Sequence, residues 1–206
     1  MHYIITALGT AGDVFPFIGL AQQLMSRGHD TVLLTAEPFL NVAQNQGVNA
    51  VAVLNQAEYD ATLRDTGLWQ AGRGFVSAVR GFALPAMLRS YQYIEQHRQS
   101  DTVLIGSTLA FGAHCAAEKL AIPYITAHLA PAVFRSNIEP PRFPGLWMPS
   151  WLPESIKHFT WYLIDKLYYD KLLLNSINGF RKHLQLAPID RLLQTWMHTE
   201  KATVGL

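Results

Sequence analysis

The chain has 206 residues, half of them apolar and only 15% charged, which supplies ample core-forming side chains and argues against disorder. A net charge of +1 with no Lys/Arg-rich run excludes general nucleic-acid affinity. The single cysteine, Cys115, excludes an internal disulfide framework and fits a reducing, cytoplasmic compartment. No signal-like opening and no run of about 20 apolar residues is present, so no helical membrane span is expected.

Apolar runs alternate with helical patterns through the first two-thirds of the chain. Tyr3–Leu8 reads as a first strand. Pro16–Arg27 reads as a helix with Phe17, Leu20, Ala21 and Leu24 on one face, ended by Gly28. Thr31–Thr35 predicts a second strand, Pro38–Gln46 a short helix closed by Gly47, and Ala50–Val53 a third strand. Residues 57–72 fit no single pattern. A long helix is expected over Phe75–Gln99, kinked or divided at Pro85. Thr102–Ile105 predicts a fourth strand, Leu109–Leu120 an Ala-rich helix carrying Cys115 on its buried face, and Tyr124–Ala127 a fifth strand. Strands this continuously apolar, alternating with helices, imply an α/β fold: a Rossmann-like parallel sheet with helices on both faces.

The character then changes. Residues 138–153 carry five prolines and read as an extended surface loop. Glu154–Leu186 is helical and aromatic, and Ile189–His198 predicts a last short helix. Ala202–Leu206 looks like a strand just beginning, which suggests a truncated chain.

The densest signal is Leu8-Gly9-Thr10-Ala11-Gly12-Asp13-Val14-Phe15-Pro16-Phe17. Gly9 and Gly12 would allow a tight turn and a close backbone approach to a ligand. Pro16 suits the first turn of a helix. Asp13 is then expected at or just before the helix start, at the carboxyl end of the first strand, where open α/β sheets bind their ligands. A carboxylate there can cap the helix, act on a proton, or do both. The loop is not a dinucleotide fingerprint, because Ala11 replaces the second glycine and Phe15 or a neighbour the third. Glu37 could mimic the ribose-binding acid, but Pro38 follows at once and favours a helix start. No Walker Gly-Lys-Ser/Thr is present.

Ser107, after the fourth strand, either hydrogen-bonds Asp13 or a ligand, or shares with Thr108 the capping of the next helix. His128, at the end of the fifth strand, either touches a ligand or makes a structural hydrogen bond, and His114 packs on the Ala-rich helix. The eight histidines are dispersed, and no metal site is expected.

Gly9-Thr10-Ala11-Gly12-Asp13-Val14-Phe15-Pro16-Phe17-Ile18-Gly19-Leu20-Ala21 resembles the opening of inverting GT-B glycosyltransferases, including bacterial antibiotic and sterol glucosyltransferases. Arg27-Gly28-His29-Asp30-Thr31-Val32 continues the likeness. Asp101–Ser107, Glu118–Tyr124 and Gln194–His198 look like the B chains of bacterial rhamnosyltransferases that make rhamnolipids, so the likeness runs over essentially the whole chain. The resemblance implies a two-domain enzyme with its site in the cleft, of which residues 1–206 are the N-terminal acceptor-binding domain. The C-terminal domain, with its His-x-Gly-x-Gly-Thr/Ser-like stretch, is absent from this sequence. That domain would bind a dTDP- or UDP-linked sugar, no other cofactor is implied, and the fragment alone should not turn over.

Carried over from the resemblance, Asp13 is the general base that deprotonates an acceptor hydroxyl. Gly9, Thr10, Gly12, Phe15, Ser107 and His128 are the candidate acceptor contacts around it. Some branches use a His base oriented by an Asp after the fourth strand; here the opening has no such His, and Gly106-Ser107-Thr108 supplies no acid. The acceptor is expected to be lipid-like or otherwise apolar, and the transferred sugar rhamnose or glucose.

The aromatic tail, from Trp147 to Leu174 with Lys157, Lys166 and Lys171 interleaved, carries three readings: packing on its own sheet and a missing domain, an apolar acceptor channel, or peripheral contact with the inner face of a membrane. Phe15, Phe17, Phe75, Phe82 and Phe134 could add apolar lining. Two other classes stay open: a stand-alone ligand-binding or interaction module on the same fold, and a nicotinamide enzyme.

Overall fold

The computed structural model describes residues 1–130, 133–134, 136, 148–149, 151–198 and 203–205. Six parallel strands form one sheet in the order β3-β2-β1-β4-β5-β6: β1 His2–Thr6, β2 Asp30–Ala36, β3 Asn49–Leu54, β4 Thr102–Ser107, β5 Tyr124–His128 and β6 Thr203–Gly205. β1 pairs in register with β2 (Ile4 opposite Val32) and with β4 (Ile4 opposite Leu104), so the most apolar strands lie at the centre. The strand starting to form at the end of the sequence is real: β6 pairs with β5, placing Val204 opposite Ala127.

The order reverses between β1 and β4. Right-handed crossovers then put α1 (Ala11–Ser26) and α2 (Leu40–Asn45) on one face. They put α3 (Gln56–Arg64), α4 (Gly74–Ala78), α5 (Leu84–His97) and α6 (Phe111–Leu120) on the other. α5 packs tightly on α6, and Gly112 permits it: a Cβ there would collide with the Met87 carbonyl. The segment read as ambiguous becomes α3 and a 3₁₀ turn, Thr66–Trp69. The long helix is divided as expected near Pro85: a π-type segment, Val79–Ala83, joins α4 to α5, and Pro85 falls in the first turn of α5, where its missing N–H costs least.

After β5 the chain builds α7 (Glu154–Ile164), a π-type segment (Asp165–Asp170), α8 (Lys171–His183) and a π-type turn (Leu192–Trp196). Of the expected proline-rich loop over 138–153, only 148–149 and 151–153 are among the described residues. The core is one cluster running from Ile4, Leu33 and Leu104 in the sheet to Leu173, Ile177 and Leu192 in the tail. Phe17 and Phe82, expected as lining, are fully buried in it. Cys115 is a core thiol, pushed up to about 12 by burial.

The tail is fastened to the sheet domain by polar clamps. Arg181 grips Glu118 of α6 with two bonds of 2.7 and 2.8 Å, and Trp196 Nε1 donates to the same carboxylate at 2.6 Å. His114 stacks flat on Trp196, with centroids 4.4 Å apart. Within the tail, Asn178 holds the Ile189 backbone, its Nδ2 donating to the Ile189 carbonyl and its Oδ1 accepting from the Ile189 N–H, each at 2.9 Å. Burial opposes ionisation of Glu118, but the hydrogen bonds from Arg181 and Trp196 outweigh it and hold the carboxyl below its ordinary range.

Candidate functional site

The reversal of strand order places a crevice at the carboxyl ends of β1 and β4, the position where doubly wound sheets take ligands. Two loops border it. Ala7–Thr10 leaves β1, tied to β2 by Ala7 N–H donating to the Leu34 carbonyl at 2.9 Å. Thr108–Ala110 leaves β4. A bond of 3.2 Å from Leu8 N–H to Ser107 Oγ joins the two sides.

Helix α1 begins at Ala11, five residues earlier than the sequence suggested, and this corrects two local expectations. Thr10, in extended conformation, is the N-cap, and Asp13 is the third residue of the helix rather than the residue before it. Pro16 lies in the second turn and deprives the Gly12 carbonyl of its helical partner. The cause is a reciprocal capping arrangement. Asp13 Oδ2 accepts from Thr10 N–H at 2.8 Å and from Thr10 Oγ1 at 2.9 Å, while Asp13 N–H donates to the Thr10 carbonyl at 2.9 Å. Thr10-Ala11-Gly12-Asp13 is the Ser/Thr-x-x-acid signature of that arrangement, and it was present in the sequence to be read.

Gly9 makes the fold-back possible. Its φ is +131°, and a Cβ there would run into the Asp13 carboxylate. Gly12 has no such need: it is an exposed helical residue where a Cβ would make only an ordinary contact, with Thr10 Oγ1 at 3.9 Å. The result is a half-exposed carboxylate at the carboxyl edge. One oxygen is fixed by two bonds, and Oδ1 accepts no hydrogen bond among the described residues.

Phe15, beside it, is 48% exposed. Its ring meets Phe39 edge-on at 6.0 Å, and Phe39 meets Tyr59 edge-on at 5.5 Å, so a line of aromatic rings buttresses Phe15 from the β2–β3 side. Sequence reasoning missed Phe39 and Tyr59; both follow strand ends on this same edge, which was the available signal. Burial, then the negative charges of Asp13 and Asp60, push the Tyr59 phenol above its ordinary range.

Ser107 does not reach Asp13 in a hydrogen bond, and neither it nor Thr108 caps α6, whose N-cap is Ala110. Thr108 Oγ1 instead bonds His128 Nδ1 at 3.0 Å. His128 stands on the ligand edge but is 1% exposed, enclosed by the rings of Phe134 and His198 at 5.3 and 5.1 Å. Burial and then the neighbouring His198 push its imidazole down to about 4, against a backbone hydrogen bond at Met197. No group of three or more metal-ligating side chains occurs among the described residues.

The sheet order, the glycine loop and the carboxylate at its crevice define the N-terminal Rossmann-like half of the GT-B glycosyltransferase fold. The chain matches the family described as glycosyltransferase family 28 N-terminal domain over residues 3–138, and it belongs to that family. It is similar to a sterol 3-beta-glucosyltransferase of Yarrowia lipolytica, 26% identical over 202 residues that cover 94% of this chain and 13% of the relative. Among solved structures it shares the fold of the glycosyltransferase SnogD from Streptomyces nogalater (TM-score 0.58, 15% identity), covering 100% of this chain and 45% of that one. It also shares the fold of the glycosyltransferase VinC, solved in complex with dTDP (TM-score 0.62, 14% identity), covering 100% of this chain and 49% of that one. The chain therefore spans less than half the length of these relatives.

Proposed function

We propose that this chain is the acceptor-binding half of an inverting glycosyltransferase. The enzyme would move a hexose, rhamnose or glucose, from a dTDP- or UDP-linked donor to a hydroxyl of an apolar, lipid-like acceptor. The donor would be held by a second domain, so the chain alone would not turn over. The observation that carries the reading is Asp13: one carboxylate oxygen is immobilised by Thr10, and the other accepts no hydrogen bond among the described residues and lies at the carboxyl edge beside an exposed Phe15.

In an inverting transfer the acceptor oxygen attacks the anomeric carbon from the face opposite the nucleotide and must shed its proton as it does so. Asp13 Oδ1 accepts that proton while the two Thr10 bonds keep the carboxylate from swinging away. Negative charge at the third position of α1 also faces the positive helix end, which keeps the carboxylate in place before the proton arrives. Phe15 offers a ring face to the apolar body of the acceptor. Gly9, Thr10 and the exposed Gly12 border the hydroxyl. Ser107 sets the spacing of the two loops, and His128, held by Thr108, backs the crevice from β5. The sterol named for the Yarrowia relative and the dTDP in the VinC complex support the substrate classes assigned here.

The test is Asp13→Asn in a polypeptide carrying both halves. The isosteric amide keeps the shape and cannot take the proton, so kcat should fall by roughly 10²–10⁴-fold with the thermal midpoint nearly unchanged. Turnover within threefold of the parent would remove Asp13 from the reaction.

A further inference from the structure

Tyr59 is a polar group at the crevice that the transfer described above does not use. It stands on α3, just past the carboxyl end of β3, and is only 8% exposed. Its hydroxyl nevertheless makes no hydrogen bond among the described residues, and the oxygen is not fully enclosed. Tyr91, just as deeply buried, shows the ordinary arrangement: its hydroxyl donates to Glu95 at 2.9 Å. A buried phenol normally finds such a partner, because an unmade hydrogen bond is costly. A buried ring with an unpartnered hydroxyl is therefore a site that something else completes.

The ring is fixed before anything binds. Phe39 meets it edge-on at 5.5 Å, and Phe82 leans on it at 5.6 Å. The helix beneath it is fixed as well. Asn55 Oδ1 accepts from Glu58 N–H at 2.8 Å, and Glu58 Oε2 accepts from Asn55 N–H at 3.0 Å. Arg89 of α5 grips the same carboxylate with bonds of 2.6 and 2.7 Å and donates to the Val53 carbonyl of β3 at 3.1 Å. Further along α3, Thr62 fills the place a Cβ on Gly81 would take, so the helix seats closely on the π-type segment that carries Phe82. A donor held this rigidly can orient a ligand without an ordering cost of its own.

Two observations place that donor on the reacting side of the crevice. The Phe15–Phe39–Tyr59 row links it to the exposed ring beside Asp13. The charges of Asp13 and Asp60 reach the phenol and, after burial, raise its hold on the proton, so it stays a donor at neutral pH. We propose that Tyr59 is a specificity-determining residue: its hydroxyl donates to a second oxygen of the acceptor, distinct from the one that receives the sugar. The proposal rests on the reading of this crevice as the acceptor site. An acceptor with a single hydroxyl on bare hydrocarbon leaves the phenol unpaired. One with a further hydroxyl, carbonyl or ether oxygen a few bonds away satisfies it, and a site built to pair an oxygen discriminates against the analogue that lacks it.

The experiment is calorimetry of the 206-residue chain with decanol and with the decanediols whose second hydroxyl lies on the next carbon or the one beyond. One of the diols should bind at least as tightly as decanol, although its added hydroxyl makes it less apolar. Tyr59→Phe keeps the ring and deletes the donor. It should weaken that diol about tenfold relative to decanol. The thermal midpoint should match or exceed the parent's, because the fold loses no hydrogen bond. Phe15→Ala should weaken both alcohols. Decanol preferred over both diols, or a diol-to-decanol ratio that survives Tyr59→Phe, would overturn the proposal and leave the acceptor reading standing. So would a clearly lowered midpoint in Tyr59→Phe, which would assign the hydroxyl to the fold. If neither alcohol binds, or Phe15→Ala changes neither, the acceptor reading fails and the proposal falls with it.

Discussion

The sheet domain up to β5 and the helical tail after it are held by different means. In the sheet domain, strands such as Ile4–Thr6 and Leu33–Ala36 are buried on both faces, and their pairing follows from apolar pattern alone. In the tail, apolar positions such as Leu173, Ile177 and Leu192 join the same core, and polar clamps are added to them. α8 and the turn at Leu192–Trp196 are located by Arg181 on Glu118, Trp196 on the same carboxylate, Asn178 on Ile189, and Leu192 N–H donating to Asp170 Oδ1 at 3.0 Å. Pattern tolerates substitution of similar volume, whereas a buried polar clamp fails when one partner is removed.

The largest effect should come from breaking that clamp. Arg181→Ala strands the Glu118 carboxylate and should cost about 3 kcal/mol, the low end for a buried pair because Glu118 keeps 32% of its side chain exposed. The comparison sharpens if hydrogen exchange shows the tail opening while β1, β2 and β4 stay protected. Uniform loss of protection would show the two regions to be one cooperative unit.

Acid should probe the same seam. Burial holds His114 and His128 near 4, below the ordinary 6.5, with Glu118 and Arg181 facing the first and His198 the second. Between those values the unfolded chain binds protons that the native state refuses. Stability is therefore full above pH 6.5, declines as pH falls toward 4 and levels off below, by on the order of 2 kcal/mol for each histidine. Urea midpoints across that range should show the slope, and His114→Gln should remove part of it; a flat profile would contradict the burial of both rings.

Two smaller changes test the loop after β1. Gly9→Ala forces a Cβ toward the Asp13 carboxylate at φ +131°, and should cost about 2 kcal/mol and displace the carboxylate. Thr10→Ala loses one of the two bonds to Oδ2 and should cost about 1 kcal/mol by urea titration, with Thr10→Ser restoring most of it. If neither change alters stability, the capping arrangement does not hold the loop.

This division also explains what could be read in advance. The five apolar runs gave five strands, Gly28 and Gly47 ended their elements at φ +80° and +75°, and the C-terminal apolar stretch paired as β6. Period and punctuation are local, and the sequence carries them directly. Pro16 points to a start of α1 five residues late, although the Thr10–Asp13 spacing holds the stronger signal. The position of Ser107 suggests a cap or a bond to Asp13, but its partner is Leu8, 99 residues away. The grip of Arg181 on Glu118 spans 63 residues and carries no period at all. The placement of Asp13 at the carboxyl edge of β1 was legible, because it depends on a strand end, a glycine turn and a helix start that adjoin in the chain.

The most direct test of the central claim is calorimetry of the 206-residue chain with a hydroxy fatty acyl ligand and, separately, with dTDP. An acceptor half should bind the acyl ligand, lose affinity on Phe15→Ala, and take the nucleotide more weakly. Preference for the nucleotide, unaffected by Phe15→Ala, would contradict the assignment of this domain to the acceptor.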